Sequence, residues 1–445
     1  RVSSLPSHRF VLAPMVGGSE LAFRLLCRRY GTELAYTPMM NSEKFAVDAD
    51  YRQSIFQTTP EDRPLVCHFS ANHPGTLLVA ARHVQDQCDA IDLNLGCPQR
   101  IAHSGHFGSY LLGPEDRELV LDIVRTVSAG ISIPLFVKIR LLDSLDETLA
   151  LCGQLREAGA ALIAIHGRYR VNLVGRSGPG ARDGPAHLDQ IQTIKQAMPD
   201  FPIIANGNII TGEDACDNLK FTGADGVMSA EGILDNPALF HTAATTFHNK
   251  TASITSDISS EPPHNLYLAL QYLDLVDMHP VPLKSVIFHI RRMCKAAFSD
   301  YQLLEDCLVC SSVDEVRSVV QQGVAFLTTG GFVFDPYKEK RRKEMLALKK
   351  REEGKRKAYE QRMMRKSKRE GRDINYYLNI GAKNPTQEIL DRLKALSKEE
   401  AFEVWKKDHS QHCYAHHFED GGCKRDRTCA FLHADVTIAE AVMYG

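Results

Sequence analysis

Cys97 is the residue most able to do chemistry, because it sits between Gly96 and Pro98 just after an apolar run that carries Asn94. A free thiol has a pKa of about 8.5, so at neutral pH it is mostly protonated and suited to giving up a proton as a general acid. A lone Cys is more often a small buried hydrophobe, but the flanking Gly and Pro put this one on a loop. Cations and imidazole follow in Lys138-Ile139-Arg140 and His166-Gly167-Arg168. Asn206-Gly207-Asn208 and Ala230-Glu231-Gly232 are short turns whose backbone N–H groups can cradle a phosphate. Asn-Gly is also an ordinary turn, so the weight rests on the two together. Pro14-Met15, Met39 and His68 complete the set.

A second constellation lies near the C-terminal end. Cys413, Cys423, Cys429 and His433 are spaced C-x9-C-x5-C-x3-H, as in a CCCH zinc finger. Three thiolates and one imidazole would close a tetrahedral, structural Zn2+ site with no open position for chemistry. Tyr414, Phe418 and Phe431 interleave with Lys424, Arg425 and Arg427. Aromatic faces can stack on bases while cations meet phosphates; packing around the metal is the alternative for Phe431.

The elements that must position these groups show in the apolar pattern. Runs at 10–16, 34–39, 64–69, 90–95, 135–140, 161–166, 203–206 and 226–229 read as strands. Amphipathic stretches at 20–30, 76–87, 115–127, 147–158 and 188–198 read as helices between them. Continuous apolar strands alternating with helices call for a parallel sheet covered on both faces. Eight such units suit a closed α/β TIM (β/α)8 barrel of roughly 250 residues, in which active sites gather at the C-terminal strand ends. The residues named above stand at those ends. The expected organisation is a barrel over 1–250, a Ser/Thr-rich linker over 251–263, and a small all-α domain over 264–335. A basic helical or disordered linker over 336–404 and the finger over 405–445 follow.

Of 445 residues, 44% are hydrophobic and 24% charged, a globular balance. No apolar run approaches the about 20 residues a membrane span needs, so no membrane partner is expected. The 12 cysteines are scattered, which suits reduced core thiols better than a disulfide framework. The net charge of −2 hides a polarity: residues 338–373 hold 17 Lys+Arg against 7 Asp+Glu, a local +10, which leaves −12 elsewhere. Such a run invites a polyanionic partner. The chain begins at Arg1, not Met, so the true N-terminus is expected to be missing, which leaves any targeting segment open.

In order, Ala13-Pro14-Met15, Asp92-Leu93-Asn94-Leu95-Gly96-Cys97-Pro98-Gln99, Lys138-Ile139-Arg140, His166-Gly167-Arg168 and Ala205-Asn206-Gly207-Asn208-Ile209 resemble the motif series of tRNA-dihydrouridine synthases. Ser229-Ala230-Glu231-Gly232 with Asn236-Pro237-Ala238-Leu239-Phe240 resembles the eukaryotic branch acting on positions 16 and 17 of the tRNA D-loop. The resemblance covers residues 9–245, and more loosely the helical stretch after it. It implies reduction of the uracil C5–C6 bond by non-covalent FMN, itself reduced by NADPH or NADH, with Cys97 as proton donor. It also implies cofactor contacts from Pro14, Met15, His68, Lys138, His166, the 206–208 turn and the 230–232 turn. Asn94 and Arg168 would meet the substrate. Two positions depart from the family. His68 replaces a flavin-contacting Gln, so flavin affinity is expected to differ, and His103-Ser104-Gly105-His106 replaces a basic pair after the catalytic Cys. A target base in folded tRNA must leave its stack to enter such a barrel. A monomer is expected, in the cytoplasm with the nucleus as a second compartment.

Two other readings compete. A flavin barrel for a small pyrimidine-like substrate would need neither finger nor polybasic arm. A non-catalytic RNA-binding protein would not need Cys97, Lys138 and His166 together.

Overall fold

The structure is a computed structural model and describes residues 5–169, 184–248, 261–371, 385–409, 412–419 and 422–424. It divides into two compact units, Arg1–Phe334 and Asp335–Gly445.

The first unit contains a closed barrel of eight parallel strands. These are β1 (Phe10–Leu12), β2 (Leu34–Tyr36), β3 (Leu65–Ser70), β4 (Ala90–Leu95), β5 (Leu135–Leu141), β6 (Leu162–Tyr169), β7 (Ile203–Asn206) and β8 (Gly226–Ser229). Each pairs with the next, and β1 with β8 closes the ring. All eight expected runs are strands. The first stops early because the chain turns away at Pro14, after Ala13 N–H bonds Ser229 O at 3.0 Å. A two-residue strand, Met40–Asn41, adds to the end of β3 and was not expected.

Alternation decides which side chains face the barrel axis. Leu34, Tyr36, Val66, Ala90, Phe136, Leu162, Ala164, Ile204 and Met228 form one buried cluster. Their sequence neighbours, among them Leu65, Cys67, Ile91, Leu135, Ile163 and Ile203, belong to a second cluster shared with the outer helices. Carrying the inner register toward the strand ends gives His68, Asp92, Asn94, Lys138, Arg140, His166 and Asn206. The interior is therefore apolar at one end and polar at the other.

Helices α1 (Leu21–Arg29), α2 (Pro74–Val84), α3 (Arg117–Gly130), α4 (Leu145–Glu157), α5 (Leu188–Ala197) and α6 (Gly212–Thr222) cover the outside. Three of them, α2, α4 and α6, start at a side-chain cap. Ser144 accepts from Glu147 N–H at 3.1 Å, and Thr211 with Asp214 forms a reciprocal capping box. Each such cap contributes about 1 kcal/mol.

Helices α7 (Asn265–Met278), α8 (Leu283–Met293) and α9 (Val313–Thr329) form the all-α part, within the same compact unit as the barrel. It is fastened to α1 by polar contacts with little exposure. Glu20 accepts from Tyr272 Oη at 2.6 Å and pairs with His289 at 2.8 Å, while the Phe23 ring stacks on His289 at 4.2 Å. Burial pushes the Glu20 carboxyl up, but His289 and Tyr272 outweigh it and hold it below the usual range. Among the described residues no helix is long and apolar enough to cross a membrane.

The second unit carries the basic run as one helix, α10 (Lys338–Glu370), of 33 residues. Helices α11 (Gln387–Lys394) and α12 (Lys398–Asp408) pack around Trp405, which is 2% exposed and donates from Nε1 to His412 O at 3.1 Å. The 251–260 part of the expected linker lies outside the described residues.

At the apolar end of the barrel, Gly226 opens β8 where the chain entering β1 passes close by. A Cβ there would stand 1.9 Å from His8 O, a backbone atom that cannot swing aside. Gly226→Ala should therefore destabilise the fold by about 1–3 kcal/mol, as overpacking does, seen as a lower melting temperature. An unchanged melting temperature would show that this crossing is loose.

Candidate active site

The polar end starts from a floor of three inward side chains. His68 on β3 stands beside Asp92 on β4, and the ladder pairs these two residues directly. Their side chains meet at 2.6 Å, His68 Nδ1 to Asp92 Oδ2, with both nearly fully buried. Among the described residues, Asp92 Oδ1 and the Tyr36 hydroxyl are buried without a hydrogen-bond partner. Burial raises the Asp92 carboxyl above its ordinary value despite the pull of His68 and Lys138. Burial, with Asp92 nearby, raises the Tyr36 phenol as well.

Above that floor the ladder sets Asn94 beside Lys138, Arg140 beside His166, and His166 beside Asn206. Lys138 is half-buried, and its Nζ donates to Asn206 Oδ1 at 3.0 Å, while Asn206 Nδ2 donates to Met228 O at 2.8 Å. Among the described residues Lys138 forms no ion pair. Desolvation, helped by Arg140, lowers its pKa to about 8. His166 is pushed well below the imidazole range by desolvation and by Lys138, Arg140 and Arg168, so it is neutral at neutral pH. Its Nε2 lies 2.8 Å from Arg168 Nη1. A guanidinium only donates, so Nε2 accepts and the ring proton sits on Nδ1.

The turn after β7 is fixed by its own side chain. Asn208 adopts φ 57°, and its Oδ1 accepts from Ala186 N–H at 2.9 Å and from Arg168 Nη2 at 3.3 Å. The turn after β8 packs directly on it: Ser229 Oγ donates to Ile209 O at 3.0 Å, and Gly232 sits against Ile209 and Ile210. Glu231 is engaged by Arg292 at 2.8 Å and Ala230 is half-buried. Pro14 and Met15 are half-buried at the end of β1, where Met15 N–H bonds Ser19 Oγ at 3.0 Å.

The Cys97 loop is held from both sides. Asn94 Oδ1 accepts from Gly96 N–H at 2.8 Å and Cys97 N–H at 3.0 Å, and Asn94 Nδ2 lies 2.9 Å from Met39 Sδ. Ser109 donates to Cys97 O through N–H at 3.1 Å and Oγ at 3.0 Å. Gly108, at φ 67°, lies so close that a Cβ there would meet Cys97 O at 2.7 Å. Arg140 Nε donates to Gly96 O at 2.9 Å. The thiol is half-buried, and desolvation raises its pKa against the weaker pulls of the Gln99 backbone, Arg140 and Lys138.

A half-exposed thiol, an ammonium with no direct ion pair among the described residues and a neutral imidazole thus meet at one barrel end. The family model described as dihydrouridine synthase matches residues 11–325. The chain belongs to the dihydrouridine synthase family. A Mus musculus protein named tRNA-dihydrouridine(16/17) synthase NAD(P)(+)-like is 38% identical over 321 residues, 72% of this chain and 62% of that one. The Saccharomyces cerevisiae tRNA-dihydrouridine(16/17) synthase is 42% identical over 239 residues, 53% of this chain and 55% of that protein. A Homo sapiens tRNA-dihydrouridine(20a/20b) synthase-like protein is 40% identical over 233 residues, 52% of this chain and 70% of that one. The chain therefore spans little more than half the length of the mouse and yeast relatives.

The chain carries site residues that the sequence reading passed over. Asp92 lies inside the motif that carries Cys97, yet only the strand pairing joins it to His68. Tyr36 shares the inner register, which alternation along β2 could have shown. Ser109, 12 positions beyond Cys97, had no local signal. Of the finger residues, Cys413 is buried and Cys423 half-buried, whereas Cys429 and His433 lie outside the described residues. Among the described residues no group of three or more His, Cys, Asp or Glu side chains is placed to hold a metal ion.

Because desolvation keeps the Cys97 thiol protonated, its alkylation by iodoacetamide should show a pH midpoint above that of free cysteine, read at the Cys97 peptide by mass spectrometry. A midpoint at or below the free value would mean that Arg140 and Lys138 dominate, and that Cys97 is a resting thiolate.

Proposed function

We propose that the chain is a tRNA-dihydrouridine synthase. It uses NADPH or NADH and bound FMN to saturate the uracil C5–C6 bond of D-loop uridines at positions 16 and 17. The observation that carries this reading is the meeting of Cys97, Lys138, His166 and Asn206 at one barrel end. Positions 16 and 17 are favoured over 20a/20b because the mouse 16/17 relative aligns over 321 residues and the human 20a/20b relative over 233.

The residues present fit FMN. Lys138 offers positive charge that no described carboxylate meets in a direct ion pair, although Asp92 acts on it through space, and among the described residues Asp92 Oδ1 and Tyr36 Oη are buried polar atoms without a hydrogen-bond partner. Lys138, His68 and His166 would hold the ring system with Pro14 and Met15 beside it. The backbone of Asn206, Gly207 and Asn208, with that of Ala230, Glu231 and Gly232, would take the phosphate. When bound, FMN supplies the hydride, which no amino-acid side chain can.

The chain's own part is charge, orientation and a proton. Cys97 Sγ–H gives its proton to C5 of the uracil. The thiolate left behind faces Arg140 and Lys138, whose charge steadies it until solvent returns a proton. Asn94 and Ser109 fix the backbone on either side of Cys97, so the thiol reaches C5 without a search. His166, neutral and protonated on Nδ1, contributes a donor without adding another cation. Arg168 and Asn94 border the substrate side. The flipped-out base is delivered by a monomer whose helices α7–α9 and α10 meet tRNA phosphates. A Zn2+ finger of Cys413, Cys423, Cys429 and His433 adds a further RNA contact. Its site of action is the cytoplasm, with the nucleus as a second compartment.

Nucleoside analysis of tRNA from cells lacking the protein tests this reading. Dihydrouridine at positions 16 and 17 should be missing and return with the wild-type copy. With Cys97→Ala it should form on the order of 10²–10⁴-fold more slowly, the range for loss of a general acid. Unchanged D-loop dihydrouridine in the deleted cells, or full restoration by Cys97→Ala, would overturn the assignment.

A further inference from the structure

His68 is bound to a carboxylate on the neighbouring strand, and that pairing has consequences for whatever sits above it. Its backbone N–H is taken by Thr37 Oγ1 at 3.0 Å and its Nδ1 by Asp92 Oδ2 at 2.6 Å. Nε2 is the polar atom of the ring left for a ligand. The groups facing this pair are Tyr36 from β2, whose ring lies edge-on to His68 at 6.0 Å, Asp92 from β4, and Lys138 from β5, which acts on Asp92 through space. Tyr36 does not ionise near neutrality, and Lys138 keeps its proton up to about 8.

We infer that Asp92 is a positioning residue for the cofactor: it fixes His68 by Nδ1, presents Nε2 upward, and supports the proton that turns Nε2 from acceptor to donor. The inference rests on the FMN reading above. An oxidised isoalloxazine edge offers acceptors at N1, O2, O4 and N5 and one donor at N3, so a donating Nε2 has more atoms to satisfy than an accepting one. FMN binding should therefore draw a proton onto the His68–Asp92 pair. An amide at position 68 meets the same edge with no change of charge. This chain thus couples flavin binding to proton uptake where a Gln-bearing barrel would not. Asp92 acts through His68 and need not touch the cofactor.

The test is calorimetry of FMN binding to the flavin-stripped full-length protein near pH 6.5, in buffers of different ionisation enthalpy, which counts protons taken up. Protons from the FMN phosphate are common to all variants, so the difference between variants isolates residue 68. The wild type should take up measurably more proton per FMN than His68→Gln. Asp92→Asn, which removes the charge that supports an imidazolium, should fall to the His68→Gln value while still binding FMN. Equal uptake in wild type and His68→Gln would overturn the inference and leave the FMN reading standing. A wild-type protein that binds no FMN at any pH would overturn both. Should Asp92→Asn fail to fold, the 15N signal of the His68 ring decides in the wild type: Nδ1 protonated supports the pairing, and Nε2–H with bare Nδ1 contradicts it.

Discussion

An ammonium group held inside a barrel with no direct ion pair among the described residues is the constraint around which the rest is arranged. Lys138 is half-buried, rests on the neutral amide oxygen of Asn206, and has its pKa drawn down to about 8. Removing a cation from water without an opposite charge is costly. A protein built for stability alone would put an apolar side chain here, as the same inner register does lower down with Phe136, Leu162 and Ile204. The cost is met if an anionic or strongly accepting ligand completes the site. His166 is kept neutral by the same surroundings, and Cys97 is kept a thiol by desolvation, so each group stands in a state that its neighbours impose.

Closing the barrel is what makes this possible. Eight strands in parallel register bring residues from Asn94 to Asn206 side by side, and alternation sends each one inward. The apolar end supplies the rigid support, with Gly226 letting the entry to β1 pass close. The α-helical part is not a loose appendage, because Glu20, Tyr272, His289 and Phe23 join it to α1 through contacts sheltered from solvent. Arg292 ties α8 to Glu231 and Asp235, next to the turn proposed for phosphate. Any RNA bound by those helices would be held in fixed relation to the barrel mouth.

Much of this was legible in the sequence, for identifiable reasons. Buried parallel strands are continuous apolar runs, so all eight were visible, and Cys97, Lys138, His166 and Asn206 stood at their ends. The two-residue strand at Met40 was too short to carry a pattern. Pairings across strands were not visible either. That His68 meets Asp92, that Asn94 spends its amide oxygen on the Cys97 loop, and that Ser109 returns to Cys97 O all depend on register and loop closure. Asn94 was expected at the substrate, and the structure shows it bonded to the loop backbone. Position 68 looked like a simple exchange of imidazole for amide, whereas its burial beside Asp92 gives it a carboxylate partner.

The central claim, a mouth built around a cation awaiting a partner, is tested most directly by following the ionisation of Lys138 itself. NMR of the protein carrying 13C-labelled lysine should give Lys138 a pKa near 8 without flavin and a clearly higher one with FMN saturating. A Lys138 pKa that FMN leaves unchanged would contradict the account.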